Sequence, residues 1–208
     1  MLTIEVALSF FGIAVLLALT PGPDNLFVLM QSALWGRASG MLVVLGLCTG
    51  LIGHTIAVAV GLAAIFAASH TAFTVLKLAG AAYLVYLAWG AFQVRGTKAD
   101  GEKPSRQGRG QLYRRGIVMN LTNPKVSLFF LAFLPQFTSP QRGSVALQTL
   151  SLGALFMLAT LLVFGAIAAF SGVLGERIQR SQKAQRVLNR AAGVVFLGLA
   201  IKLALVHR

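Results

Sequence analysis

Thr20-Pro21-Gly22-Pro23-Asp24-Asn25 interrupts an apolar run, with Val6 to Leu19 before it and Leu26 to Met30 after it. Two prolines around a glycine remove the N–H groups and the geometry that a continuous helix needs. If the flanks lie in lipid, such a break must be buried in protein or line a wet cavity, because lipid offers no partner to a free peptide group. The stretch therefore predicts a broken helix carrying a carboxylate at membrane depth.

Composition points the same way. Of 208 residues, 57% are hydrophobic and 11% charged, whereas a soluble domain carries about 25% charged residues. Mean hydropathy is +0.79. The net charge of +13 raises nucleic acid as a partner. The basic residues, however, collect in short connectors between apolar stretches, which fits juxtamembrane placement and not nucleic-acid binding. The one cysteine, Cys48, sits in an apolar run, so there is no disulfide framework and no CxxC pair. The N-terminus lacks the basic region of a signal peptide, carries Glu5, and offers only Ala18-Leu19-Thr20-Pro21 as a poor cleavage site. It is expected to be a retained span.

A span needs about 20 apolar residues. Six candidates follow: Ile4 to Ser32 with the Pro-Gly-Pro break inside, Met41 to Ala67, Ala72 to Phe92, Gly116 to Phe137 broken at Asn123-Pro124-Lys125, Val145 to Phe170, and Ala191 to Val206. The expected fold class is an all-α polytopic membrane protein, a single transmembrane domain over 1–208. Within it, 1–93 forms a first three-helix repeat, 94–115 a basic cytoplasmic linker, and 116–208 a second three-helix repeat. Thirteen Lys and Arg residues fall in the connectors after the first, third and fifth spans, against Arg142 and Arg208 on the other side. The positive-inside rule then puts the basic linkers in the cytoplasm and both termini outside.

The halves resemble each other. Lys77-Leu78-Ala79-Gly80-Ala81-Ala82-Tyr83-Leu84 matches Arg190-Ala191-Ala192-Gly193-Val194-Val195-Phe196-Leu197 in size and character, and Pro23-Asp24 matches Pro124-Lys125. Three spans per copy require the second copy to enter the membrane inverted, a 3+3 inverted repeat with helices 1 and 4 interrupted. Interrupted helices in matching positions point to a secondary transporter's binding site. Kinked helices that merely pack well are the structural alternative.

Pro23 suits the first position of a new half-helix, where its missing N–H is no loss. Asp24 then lies in the first turn, where the helix dipole favours an anion. It either caps its own helix or binds a substrate ammonium; a carboxylate at membrane depth costs enough to demand a partner or a task. Lys125 holds the equivalent position in the second half. It either meets Asp24 across the pseudo-two-fold axis or snorkels to the cytoplasmic edge. Asn25, Asn120, Thr122 and Asn123 add neutral hydrogen-bonding groups. His54 lies at the margin of a small-residue stripe formed by Gly46, Gly50, Gly53, Ala57 and Gly61. Such a stripe marks close helix approach and permits a homodimer as readily as packing within one chain. Histidine suits proton coupling, and equally serves as a core residue donating to a carbonyl.

The combination of Thr20 to Asn25, Lys77 to Gly90, Asn120-Leu121-Thr122-Asn123-Pro124-Lys125, Leu134-Pro135-Gln136-Phe137 and Gly193 to Ala204 resembles the LysE/RhtB family of amino-acid exporters over nearly the whole chain. Gly46 to Gly61, with His54 inside it, is most similar to the homoserine/threonine-exporting branch. The resemblance implies a multi-pass protein of the bacterial inner membrane that exports small amino acids or derivatives, driven by proton antiport, with no cofactor. It carries Pro21, Gly22, Pro23, Asp24, Asn25, Asn120, Asn123, Pro124 and Lys125 over as substrate-site residues, and leaves Asp24 and His54 as proton-coupling candidates. The wider superfamily includes divalent-metal exporters, the alternative reading. Transition metals want clustered His, Cys or carboxylates, and here only Cys48 and His54 lie near each other in sequence. A membrane enzyme is disfavoured, since the spans hold no HExxH pair, nucleophile elbow or carboxylate dyad.

Overall fold

The computed structural model describes residues 2–20, 22–68 and 107–171, with isolated helical positions within 78–93 and 187–201. Six α-helices make up the main described part: α1 (Ile4–Leu19), α2 (Pro23–Trp35), α3 (Arg37–Ala68), α4 (Arg109–Thr122), α5 (Pro124–Leu128) and α6 (Val145–Phe170). The described residues contain no strand.

Local chemistry sets the ends. Thr3 caps α1, its Oγ1 accepting from the Val6 N–H at 3.4 Å. At the other end the Thr20 N–H and hydroxyl both donate to the Leu16 carbonyl, at 3.0 and 2.8 Å. Gly22 is the extended residue before α2, and Pro23 opens that helix. The α1–α2 pair bends by 64°. After Trp35 the chain turns through Gly36 at φ +86°, a conformation that glycine adopts without steric cost, and α3 begins at the next residue. Over its 32 residues α3 is about 48 Å long at 1.5 Å per residue.

The second break follows the same plan. Asn123 ends α4 and caps α5, its Oδ1 accepting from the Lys125 N–H at 3.0 Å, with Pro124 in the first helical position. The bend there is 53°. Beyond Leu128 the helix widens into a π segment, Phe129–Phe133, then tightens into a 3₁₀ turn, Leu134–Phe137. The buried Gln148 side chain of α6 clasps the loop that follows: it accepts from the Ser139 N–H and donates to the Ser139 and Gly143 carbonyls.

Both expected breaks are present, and α6 has the expected bounds. Helix α4 starts at Arg109, inside the segment read as linker, because the Gly108 N–H finds the Gln111 Oε1 at 3.1 Å and the turn closes. Among the described residues, two stretches are long and apolar enough to cross a membrane, Arg37–Gly61 and Val145–Phe170; counting each bent pair as one span brings the number to four. Most of the expected third and sixth spans, and with them Tyr83 and most of the quoted internal repeat, lie outside the described residues.

Helix α3 packs against α2, α4 and α6, and α1 packs against α6. The α3–α4 crossing is close because glycine faces glycine. A Cβ on Gly46 would overlap the Tyr113 carbonyl, and one on Gly116 would sit 3.0 Å from the Gly46 Cα. The Thr49 and Tyr113 hydroxyls bond at 2.8 Å across the same crossing. Two hydrophobic clusters result. One gathers Phe10, Phe129, Phe130, Phe133, Phe137 and Phe156, with neighbouring ring centroids 4.7–6.5 Å apart. The other joins Ala18, Val28, Val43, Leu47, Leu112 and Phe164. The two breaks lie between the clusters.

Candidate functional site

Each break leaves the end of a helix without its next turn, and at the first break the missing donors come from Asn25 and from Lys125 of the second. The Lys125 ammonium donates to the Leu17 carbonyl at 3.3 Å and to the Thr20 carbonyl at 3.1 Å, two acceptors at the end of α1. Asn25 donates through Nδ2 to the Ala18 carbonyl at 2.7 Å. The second break also donates through Asn123 Nδ2 to the Asp24 Oδ2 at 2.7 Å. The terminal carbonyls of a helix attract cations, which explains why a lysine from a distant helix lodges there. Among the described residues no ion pair joins Asp24 to Lys125. The lysine turns inward to backbone carbonyls, and the aspartate is held by an amide.

A cavity opens where the two breaks meet. Asp24, Asn120, Lys125 and Thr160 line it with polar groups; Leu17, Ala18, Leu47, Val126, Phe156 and Phe164 complete the wall. Three of these apolar residues belong to each hydrophobic cluster, so the cavity sits at their junction. Its volume is about 20 Å³. That holds roughly one or two waters, less than any amino acid needs.

The acceptors around this cavity are not fully used. Asp24 is 4% exposed and Asn120 is 3% exposed. The Asp24 Oδ1 and Asn120 Oδ1 are buried without a hydrogen-bond partner among the described residues. A buried polar atom left unpaired costs about 1–3 kcal/mol, and each such atom in a folded protein calls for an explanation. The Asn25 Oδ1 is also unpaired, but Asn25 does not line the cavity.

Of the residues singled out from sequence, Asp24, Asn120 and Lys125 share the cavity. Gly22, Pro23, Asn25, Asn123 and Pro124 shape the breaks around it; Pro23 and Pro124 are exposed. Gly22 matters for its lack of a side chain, since a Cβ there would lie 3.3 Å from the Lys125 Nζ. Pro21 lies outside the described residues. His54 does not reach the cavity. Its Nε2 lies 3.3 Å from the Asn120 carbonyl oxygen and its ring 5.6 Å from that of Phe130, so it touches the backbone of a residue whose side chain does line the cavity. Among the described residues no group of three His, Cys, Asp or Glu side chains comes together.

Sequence reasoning misses what α6 contributes. Thr160, 3% exposed, with Phe156 and Phe164 one turn to either side, forms a wall that an almost uniformly apolar helix does not advertise. The one available signal is a hydroxyl set between two aromatic residues at i−4 and i+4.

Comparison with known proteins gives a consistent answer. The family model for "LysE type translocator" matches residues 15–207. A homoserine/homoserine lactone efflux protein of Salmonella typhimurium is 34% identical over 203 residues, 98% of each chain. The protein of the same description from Salmonella typhi is equally similar, at 34% over 98% of each chain. An uncharacterized membrane protein of Vibrio cholerae is 31% identical over 97% of each chain. No solved structure matches.

Proposed function

This chain belongs to the LysE type translocator family, and we propose that it exports small neutral amino acids or their derivatives, of the homoserine and threonine kind, from the cytoplasm in exchange for protons. The observation that carries the reading is that Asp24 and Asn120, each with a buried side-chain oxygen that has no hydrogen-bond partner among the described residues, line one cavity. A substrate ammonium has three N–H donors and one positive charge, and satisfies both. The Lys125 ammonium spends two of its three donors on the Leu17 and Thr20 carbonyls; the third serves a substrate carboxylate. Asp24 and Lys125 cancel in charge, so a zwitterion enters without adding net charge to a low-dielectric site.

The family is one of transporters and not of enzymes. Alternating access follows from the two breaks, which the inverted-repeat reading relates by a pseudo-two-fold axis. Cross-contacts between the halves, Asn123 to Asp24 and Lys125 to the end of α1, hold the cavity contracted. Substrate bound at Asp24 competes with the Asn123 bond, loosens the latch and lets the halves rock. A proton on Asp24 displaces the ammonium, which makes Asp24 the natural exchange point. His54 acts at one remove, through the Asn120 carbonyl. The excess of Lys and Arg in the odd-numbered connectors supports a cytoplasmic face on that side, with both termini outside, in a bacterial inner membrane.

The test is accumulation of labelled amino acids in everted membrane vesicles with an imposed pH gradient. Homoserine is expected to accumulate, and collapse of the gradient to abolish accumulation. Vesicles that concentrate no amino acid or derivative under any gradient overturn the reading.

A further inference from the structure

We propose that Thr160 on α6 is the specificity-determining residue that reads the polar end of the substrate's side chain. This assignment rests on the export reading above and adds to it a choice among amino acids.

The walls of the cavity divide the labour. Its polar groups on α2, α4 and α5 face the α-amino and carboxylate ends common to every amino acid. Among the residues lining the cavity, Thr160 is the one polar side chain from any other element. It stands between Phe156 and Phe164, both 5% exposed or less, at i−4 and i+4 on the same helix face. The α6 side of the cavity is thus an apolar wall with a single hydroxyl at its centre.

That hydroxyl is free to act. Thr20, Thr49, Thr55 and Thr122 each turn their hydroxyl back to the carbonyl four residues earlier, at 2.8, 3.0, 2.7 and 2.8 Å. This is the usual resting arrangement of threonine in an apolar helix. Neither Thr160 nor Thr149 on the same helix makes that bond among the described residues; Thr149 is buried away from the cavity, and Thr160 lines it. A hydroxyl both donates and accepts, so it serves a substrate hydroxyl as well as a ring-ester oxygen. A slot built around one hydrogen-bonding group rejects an isostere lacking its partner, whereas an apolar slot discriminates only by size.

The probes are homoserine and norvaline, which differ by a terminal hydroxyl in place of a methyl group. Initial rates for both are measured in everted vesicles, with membrane abundance followed by immunoblot. Wild type is expected to favour homoserine. Thr160→Val should lower the homoserine-to-norvaline rate ratio about five- to tenfold, the range of one net hydrogen bond. Thr160→Ser should keep the ratio, and Thr160→Ala gives a second hydroxyl-free variant if the valine protein is poorly inserted. An unchanged ratio in both hydroxyl-free variants overturns the assignment, as does a wild type indifferent to the hydroxyl while it transports both compounds. A wild type that accumulates neither compound nor any other amino acid overturns the export reading itself.

Discussion

Asn123 donates a 2.7 Å hydrogen bond to Asp24 across 99 positions of sequence, and so ties one helix break to the other. The bond is made by a residue that already caps its own half-helix, since the Asn123 Oδ1 accepts from the Lys125 N–H. One amide therefore fixes both the start of α5 and the orientation of the buried carboxylate.

Two substitutions separate these roles. Asn123→Asp keeps a good cap but offers no donor and sets a second carboxylate against Asp24; Asn123→Ala removes cap and donor together. Asn123→Ala should lower stability by about 1–3 kcal/mol, read as a lower melting temperature in detergent. Asn123→Asp should cost transport at least tenfold even where abundance is normal. Wild-type rates in Asn123→Asp would refute the latch.

Lys125 is expected to be structural and functional at once. Lys125→Met strands the part-buried Leu17 and Thr20 carbonyls, at a cost of up to about 1–3 kcal/mol each, and leaves Asp24 uncompensated. Lys125→Arg keeps the charge but needs room beside Gly22 for a planar guanidinium. Accumulation should vanish in the first variant and fall sharply in the second. Purified Lys125→Met that melts like wild type would contradict the capping of α1.

Gly22→Ala isolates crowding from backbone strain. The Gly22 φ of −163° is extended and open to alanine, so any effect must come from the new Cβ at 3.3 Å from the Lys125 Nζ. Transport should fall several-fold with little change in melting temperature. Gly22→Val should exaggerate the loss. The paired measurement is initial rate against thermal stability on the same preparations.

Gly46→Leu tests the α3–α4 crossing. A side chain there meets the backbone of α4 and not a movable side chain; overpacking costs about 1–3 kcal/mol, and more where backbone must shift. Membrane abundance should collapse. A Cβ added at Gly61 would meet nothing within 4 Å, so Gly61→Ala should be accepted without loss, as a control on the same helix.

The breaks are legible in the sequence because proline and glycine act locally: Pro23 and Pro124 cannot continue a preceding helix, and Asn123 is a strong cap. The partners of the breaks are not legible. Nothing in the residue types Asn123 and Lys125 says that one will hold a carboxylate and the other a pair of carbonyls, since both choices are made by tertiary contact. An Asp24–Lys125 encounter is the natural expectation from charge alone. The structure solves the same desolvation problem with an amide and with helix-end carbonyls. Thr160 is hidden for a different reason. Helix α6 is apolar on every face, so periodicity carries no record of which face meets the cavity. The start of α4 at Arg109 is obscured by its Gly and Arg content, which reads as linker until Gln111 is seen to close the turn.

The central claim, that substrate ammonium and proton share the Asp24 carboxylate, is tested most directly by homoserine accumulation in everted vesicles carrying Asp24→Asn, under a pH gradient. The substitution keeps size and an Oδ1 acceptor for Asn123, and removes the charge. The predicted result is wild-type membrane abundance with accumulation reduced to background. Accumulation at the wild-type level in Asp24→Asn would contradict the claim.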